Sequence, residues 1–159
     1  MSHDLPGHGR SLVGSEYSDD DGSADSAITE SLAAFQADPN NPDAYLAAIV
    51  AIANGRLLVP VVAVLGEVEY DEQGLARDKA SDMAAVLMTG ADGRKALLAF
   101  TSVDTLHAWN PAARPVPIST PRAAATALAE GAAALMVDIG GPVPIALEGQ
   151  VLAQIAESA

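Results

Sequence analysis

Few side chains in this 159-residue sequence are of a type and spacing that performs chemistry. His3 and His8 stand near the start and His107 is the third histidine. With Met1 retained, His3 occupies the third position, where the amine, two amides and the imidazole can chelate Cu(II) or Ni(II); no further ligand cluster follows, so both read as solvated histidines. His107 has no serine or acid placed as a triad partner and reads as structural. Asp19-Asp20-Asp21-Gly22-Ser23 opens like a calcium loop but lacks the alternating ligands and the closing glutamate. Gly140-Gly141-Pro142 is followed by no Lys-Ser/Thr pair and reads as a turn, not a phosphate loop. There is no cysteine, which excludes a thiol nucleophile, thiolate zinc and a cysteine-ligated iron–sulfur cluster. The expectation is no catalytic residue, no metal and no cofactor.

Two groups remain. Gly90-Ala91-Asp92-Gly93 is followed by Arg94-Lys95, which sets two cations beside a hairpin tip where they can hold an anion or keep a strand end soluble. Trp109, the sole tryptophan, precedes Pro111, Pro115 and Pro117. It either lines an aromatic–proline groove for a peptide or closes the core, and helical spacing favours the core.

The elements that must position these groups alternate between helix and strand. Asp25-Ser26 caps a helix over 27–37 with Ile28, Leu32 and Phe35 inward. Asp43 caps a second helix over 44–53, with Tyr45, Leu46, Ile49 and Ile52 as its core side and Asn54-Gly55 as its end. RLLVPVVAVL (56–65) reads as a strand buried on both faces, with Pro60 at an edge or bulge; a long apolar edge near Val59–Leu65, or the hairpin, would allow a homodimer. Residues 66–82 read as an acidic loop, and 83–89 and 95–101 as the hairpin strands. A short helix over 102–109 follows, then an extended proline-rich stretch over 110–118. A helix from Thr120, with Pro121 at its first position, runs to Glu130. Strands over 134–139 and 143–147 and a helix over 148–158 complete an α/β (α+β) chain: a mixed sheet of about five strands, including a hairpin, flanked by helices.

Net charge is −13, from 8 Lys+Arg and 21 Asp+Glu. Residues 1–43 hold nine of the acids and one base. A negative field argues against nucleic acid and against an anionic membrane. Residues 1–24, poor in apolar groups, read as an acidic tail, mobile or draped over a domain spanning 25–159. With no apolar leader and no unbroken apolar span, the expected compartment is the cytoplasm.

Several stretches resemble the SseB N-terminal-domain family in its short actinobacterial form. They are DDGSADSAITESLAAF (20–35), ANGRLLVPVVA (53–63), DKASDMAAVLMTGADGRKALLAFTSVDTLHAWNPAARPVPI (78–118) and AAATALAEGAAALMVDIGGPV (123–143). The resemblance implies an α/β domain and carries over no catalytic residues. Family-like positions and the hairpin cations together give a candidate binding surface of Lys79, Asp82, Arg94, Lys95, Trp109 and Arg114. The leading expectation is a non-catalytic protein-interaction domain, monomeric or homodimeric, with the acidic tail steering a protein partner. The alternative is a sensor or minor enzyme for an amino acid or similar metabolite, with Arg94 or Arg114 gripping a carboxylate and Asp82 the amine.

Overall fold

A computed structural model describes residues 17–63, 68–70, 76–78 and 83–159. Within them the order is α1 (Ser26–Ala37), α2 (Pro42–Ala53), β1 (Arg56–Ala63), β2 (Val68–Tyr70), β3 (Ala76–Asp78), β4 (Met83–Ala85), β5 (Leu87–Thr89), β6 (Lys95–Ala99), α3 (Val103–Trp109), β7 (Arg114–Ser119), α4 (Thr120–Ala129), β8 (Ala134–Val137), β9 (Ile145–Glu148) and α5 (Gly149–Ala156). The class is the expected mixture of helices and strands, but the described residues hold nine strands, not about five. They form three sheets, in the orders β4-β1-β7, β2-β3 and β5-β6-β8-β9.

Three differences from the sequence reading account for the higher count, the first being that part of the extended proline-rich stretch over 110–118 is strand β7, paired with β1. The stretch 83–89 is not one strand: it pairs with β1 through β4, then crosses at Val86 and pairs with β6 through β5. Part of the expected loop over 66–82 is the β2–β3 hairpin. The helix caps also shift. Asn41 caps α2 by accepting from the Asp43 amide, so that Pro42 takes the first turn, and Ser119 rather than Thr120 caps α4.

Strand β1 organises the rest. Its Leu57, Leu58, Val59 and Pro60 are all buried, as a strand covered on both faces requires. Leu57 and Val59 enter the larger core with side chains from α1, α2, α4 and α5; Leu58 enters a smaller core with Leu98, Phe100 and Leu106. The Leu58 amide donates to the Phe100 carbonyl at 2.7 Å and the Phe100 amide returns to Leu58 at 2.8 Å, joining the three- and four-stranded sheets.

That exchange fixes the place of the prolines. Because Leu58 spends both backbone groups on Phe100, it and Pro60 point their backbone away from β7. Their partners on β7, Pro117 and Pro115, therefore occupy non-hydrogen-bonded ladder positions, where a missing N–H costs nothing internally. The two prolines turn their nitrogens to the outer edge of β7, which they blunt against further strand pairing. Pro60 lies neither at an edge nor at a bulge: β1 is the central strand of its sheet, with β7 on one side over 56–61 and β4 on the other over 61–63, while Val64 and Leu65 of the expected edge lie outside the described residues.

Residues 17–24, read from sequence as tail, lie against the domain. Arg56, at the start of β1, donates through Nε and Nη2 to both carboxylate oxygens of Asp20, through Nη2 to the Ser23 carbonyl and through Nη1 to the Thr101 carbonyl. The arginine and aspartate side chains are each 13% exposed. The Val103 amide donates to the Gly22 carbonyl at 2.8 Å, and a Cβ at Gly22, which has φ +84°, would collide with Val103 Cγ2.

The Arg56 guanidinium holds the Asp20 carboxyl below its ordinary value of 3.8. A depressed native pKa stabilises the attached segment fully above pH 3.8, and that contribution disappears as pH falls through the lowered native value. The expected outcome for Arg56→Gln is faster amide exchange at Gly22 and Val103 at neutral pH, with Leu97 and Leu135 unchanged. Acidification below the native Asp20 pKa should produce the same local pattern in the unsubstituted chain. Native-state hydrogen exchange followed by NMR reads both, and equal protection at Gly22 in the two proteins would contradict the tether.

Candidate functional site

Four of the six sequence-predicted surface residues lie in the described region, and they do not converge. Lys79 and Asp82 lie outside the described residues. Arg94 and Lys95 are exposed at the β5–β6 turn, which is shaped by Gly93 at φ +86° and by Asp92 Oδ1 accepting from the Arg94 amide at 2.9 Å. Arg94 Nη2 reaches Glu148 Oε1 on β9 at 3.3 Å. Arg114 opens edge strand β7, opposite Val61, and is exposed.

Trp109 ends α3 half-buried, its ring centroid 5.6 Å from that of Phe100 at 31°. It thus packs on the smaller core, the role favoured by its helical spacing. The aromatic–proline groove does not form. Pro115 and Pro117 instead line a hollow of about 190 Å³ with Leu58, Val103 and the attached segment Asp20–Gly22.

A buried acid that the sequence reading passed over lies where β6 and β8 run side by side. Asp138 is 3% exposed and sits in the left-handed region at φ 58°, just past the end of β8. Its Oδ1 accepts from the Thr101 amide at 2.8 Å and the Thr105 hydroxyl at 2.9 Å; Oδ2 accepts from the Thr101 hydroxyl at 2.7 Å. Each oxygen has a donor, as a buried carboxylate needs. Since a carboxylate can only accept, the single Thr105 proton is committed to it, and Thr105 serves Ser102 as an acceptor. Asp138 is a positioning residue for the β6–α3 junction: its donors are internal, and none of them is a nucleophile–base arrangement. The available signal was one charge at the end of the apolar run ALMV.

The second feature missed is the outer face of α2. The sequence reading put Tyr45 and Leu46 on its core side. Instead Ala48, Ile49 and Ile52 are buried, while Leu46 is 59% and Val50 49% exposed. These two are one helical turn apart, with exposed Ala47 beside them. Tyr45 is 38% exposed and meets Phe35 of α1 at 5.6 Å. From Ala44 to Ala53 every residue is apolar or tyrosine, so periodicity could not select the buried side. Three of the five exposed large hydrophobic residues among the described residues belong to α2.

Among the described residues no three His, Cys, Asp or Glu side chains gather as a metal site, and no helix is long and apolar enough to cross a membrane.

The SseB protein N-terminal domain model matches residues 28–154, most of the chain. No curated protein and no solved structure matches. The chain belongs to the SseB family.

Replacing Asp138 by Asn keeps a residue that tolerates the left-handed backbone but turns one acceptor oxygen into a donor where a threonine group now donates to it. The expected cost is about 1–3 kcal/mol, read as a lower midpoint in urea with an unchanged slope. A neutral result would show that the network contributes nothing beyond the packing around it.

Proposed function

We propose that this SseB-family domain is a non-catalytic interaction module that docks a protein partner through the outer face of α2. One observation carries the reading: Leu46 and Val50 stand in solvent on a helix with no polar outer stripe. A helix that is apolar all round is ordinarily covered on all sides, and covering a side chain of this kind is worth roughly 1.5–3 kcal/mol.

Charge specifies the occupant. The face is entered past exposed Asp38 and Asp43, Glu30 is exposed on the neighbouring α1, and the whole chain carries −13. A complementary partner offers an apolar patch rimmed by Lys and Arg, and its association is steered by that field. A second copy of this chain would bring acid against acid.

The test is affinity capture from the native cytoplasm with the full chain and with the Leu46→Gln/Val50→Gln variant. Glutamine is a good helix former, so the variant should keep its circular dichroism and melt within a few degrees of the parent. A stoichiometric partner should be held by the parent, lost from the variant and weakened by salt. A partner retained equally by both proteins would place its docking surface elsewhere.

A further inference from the structure

The four-stranded sheet has two faces of different character. On one, Leu97, Leu135 and Leu147 are fully buried in the larger core. On the other, α3 covers the end that carries Leu98 and Phe100, while the opposite end is open. There the pairing register aligns Met88, Ala96, Ala134 and Glu148 in one row across all four strands. The two alanines in the middle of the row leave a hollow of about 190 Å³, walled by Met88, Met136 and Ile139, with Arg94, Lys95 and Glu148 as its charged lining.

We infer that this hollow binds a small apolar α-amino acid, its side chain on the alanine floor, its carboxylate on Arg94 and its ammonium on Glu148. This does not depend on what α2 docks.

Size, charge and polarity each narrow the ligand. The volume lies below the roughly 300–1,000 Å³ of pockets for drug-sized molecules, which suits a metabolite. The mouth carries two cations, Arg94 and Lys95, and one anion, Glu148, so it offers a partner to each end of a zwitterion, with Lys95 available to reinforce the hold on the carboxylate. Floor and walls are apolar, so a hydroxyl side chain such as that of serine would be left without a partner there. Methionine walls adapt to side chains of different shape.

The existing Arg94–Glu148 contact, 3.3 Å long with the side chains 57% and 54% exposed, does not obstruct entry. An exposed pair of this kind is worth about 0–1 kcal/mol. A bound zwitterion exchanges it for two pairs, of which the arginine–carboxylate one can be bidentate.

The experiment is an amide NMR titration of the full chain with leucine, N-acetyl-leucine, leucinamide and serine. The expected result is saturable shifts at Ala96, Ala134, Met136 and Glu148 with leucine. Removal of either ligand charge should weaken binding by about tenfold or more, and serine should leave these amides unmoved. Arg94→Gln, an exposed change that leaves the core alone, should weaken leucine by a similar factor, and Ala134→Leu should fill the floor and abolish the shifts. No saturable shift with leucine at these amides, an equal response to N-acetyl-leucine, an equal response to serine, or unchanged binding by Arg94→Gln would each overturn the assignment.

Discussion

The paired backbone hydrogen bonds between Leu58 and Phe100 are the constraint on which the rest of the molecule depends. They make two sheets continuous at one point, and the neighbouring residues reinforce that point. Arg56, two residues before Leu58, binds the carbonyl of Thr101. Asp138 binds the amide and hydroxyl of the same threonine. Ser102 then caps α3 in a reciprocal box with Thr105. Four residues, Arg56 and Leu58 of β1, Thr105 of α3 and Asp138 beyond β8, thus spend polar groups on three consecutive residues. A buried backbone group left unpaired would cost about 1–3 kcal/mol, so each member holds the others in register.

This concentration explains why the surface has freedom elsewhere. With the junction satisfied internally, neither the outer side of α2 nor the open end of the four-stranded sheet is needed to hold the fold. Apolar groups can remain there without a structural duty. The edge at β7 is the opposite case, since two prolines remove the N–H groups that another strand would need.

Much of this was legible in the sequence. Residue types and turn signals located the five helices, the buried character of β1, the hairpin at Gly90–Gly93 and the packing of Trp109. Local chemistry sets these features, so a local reading recovers them. The strand break at Val86 was not legible, because an apolar run looks the same whether it serves one sheet or two. The face chosen by α2 was hidden because all its faces are apolar. The Arg56–Asp20 pair joins residues 36 apart in sequence, and the Asp138–Thr101 bond joins residues 37 apart; an acid in a polar segment gives no sign of which distant cation will bind it.

Placement of the only indole gives the molecule an optical asymmetry. Trp109 rests on Phe100 in the smaller core, on the side of the sheet away from α1, α2, α4 and α5. Its intrinsic emission therefore reports one side of β1, while the helical signal in the far ultraviolet comes mostly from the other. If the strand transmits disorder between them the two signals melt together; if it insulates them, emission and ellipticity part company.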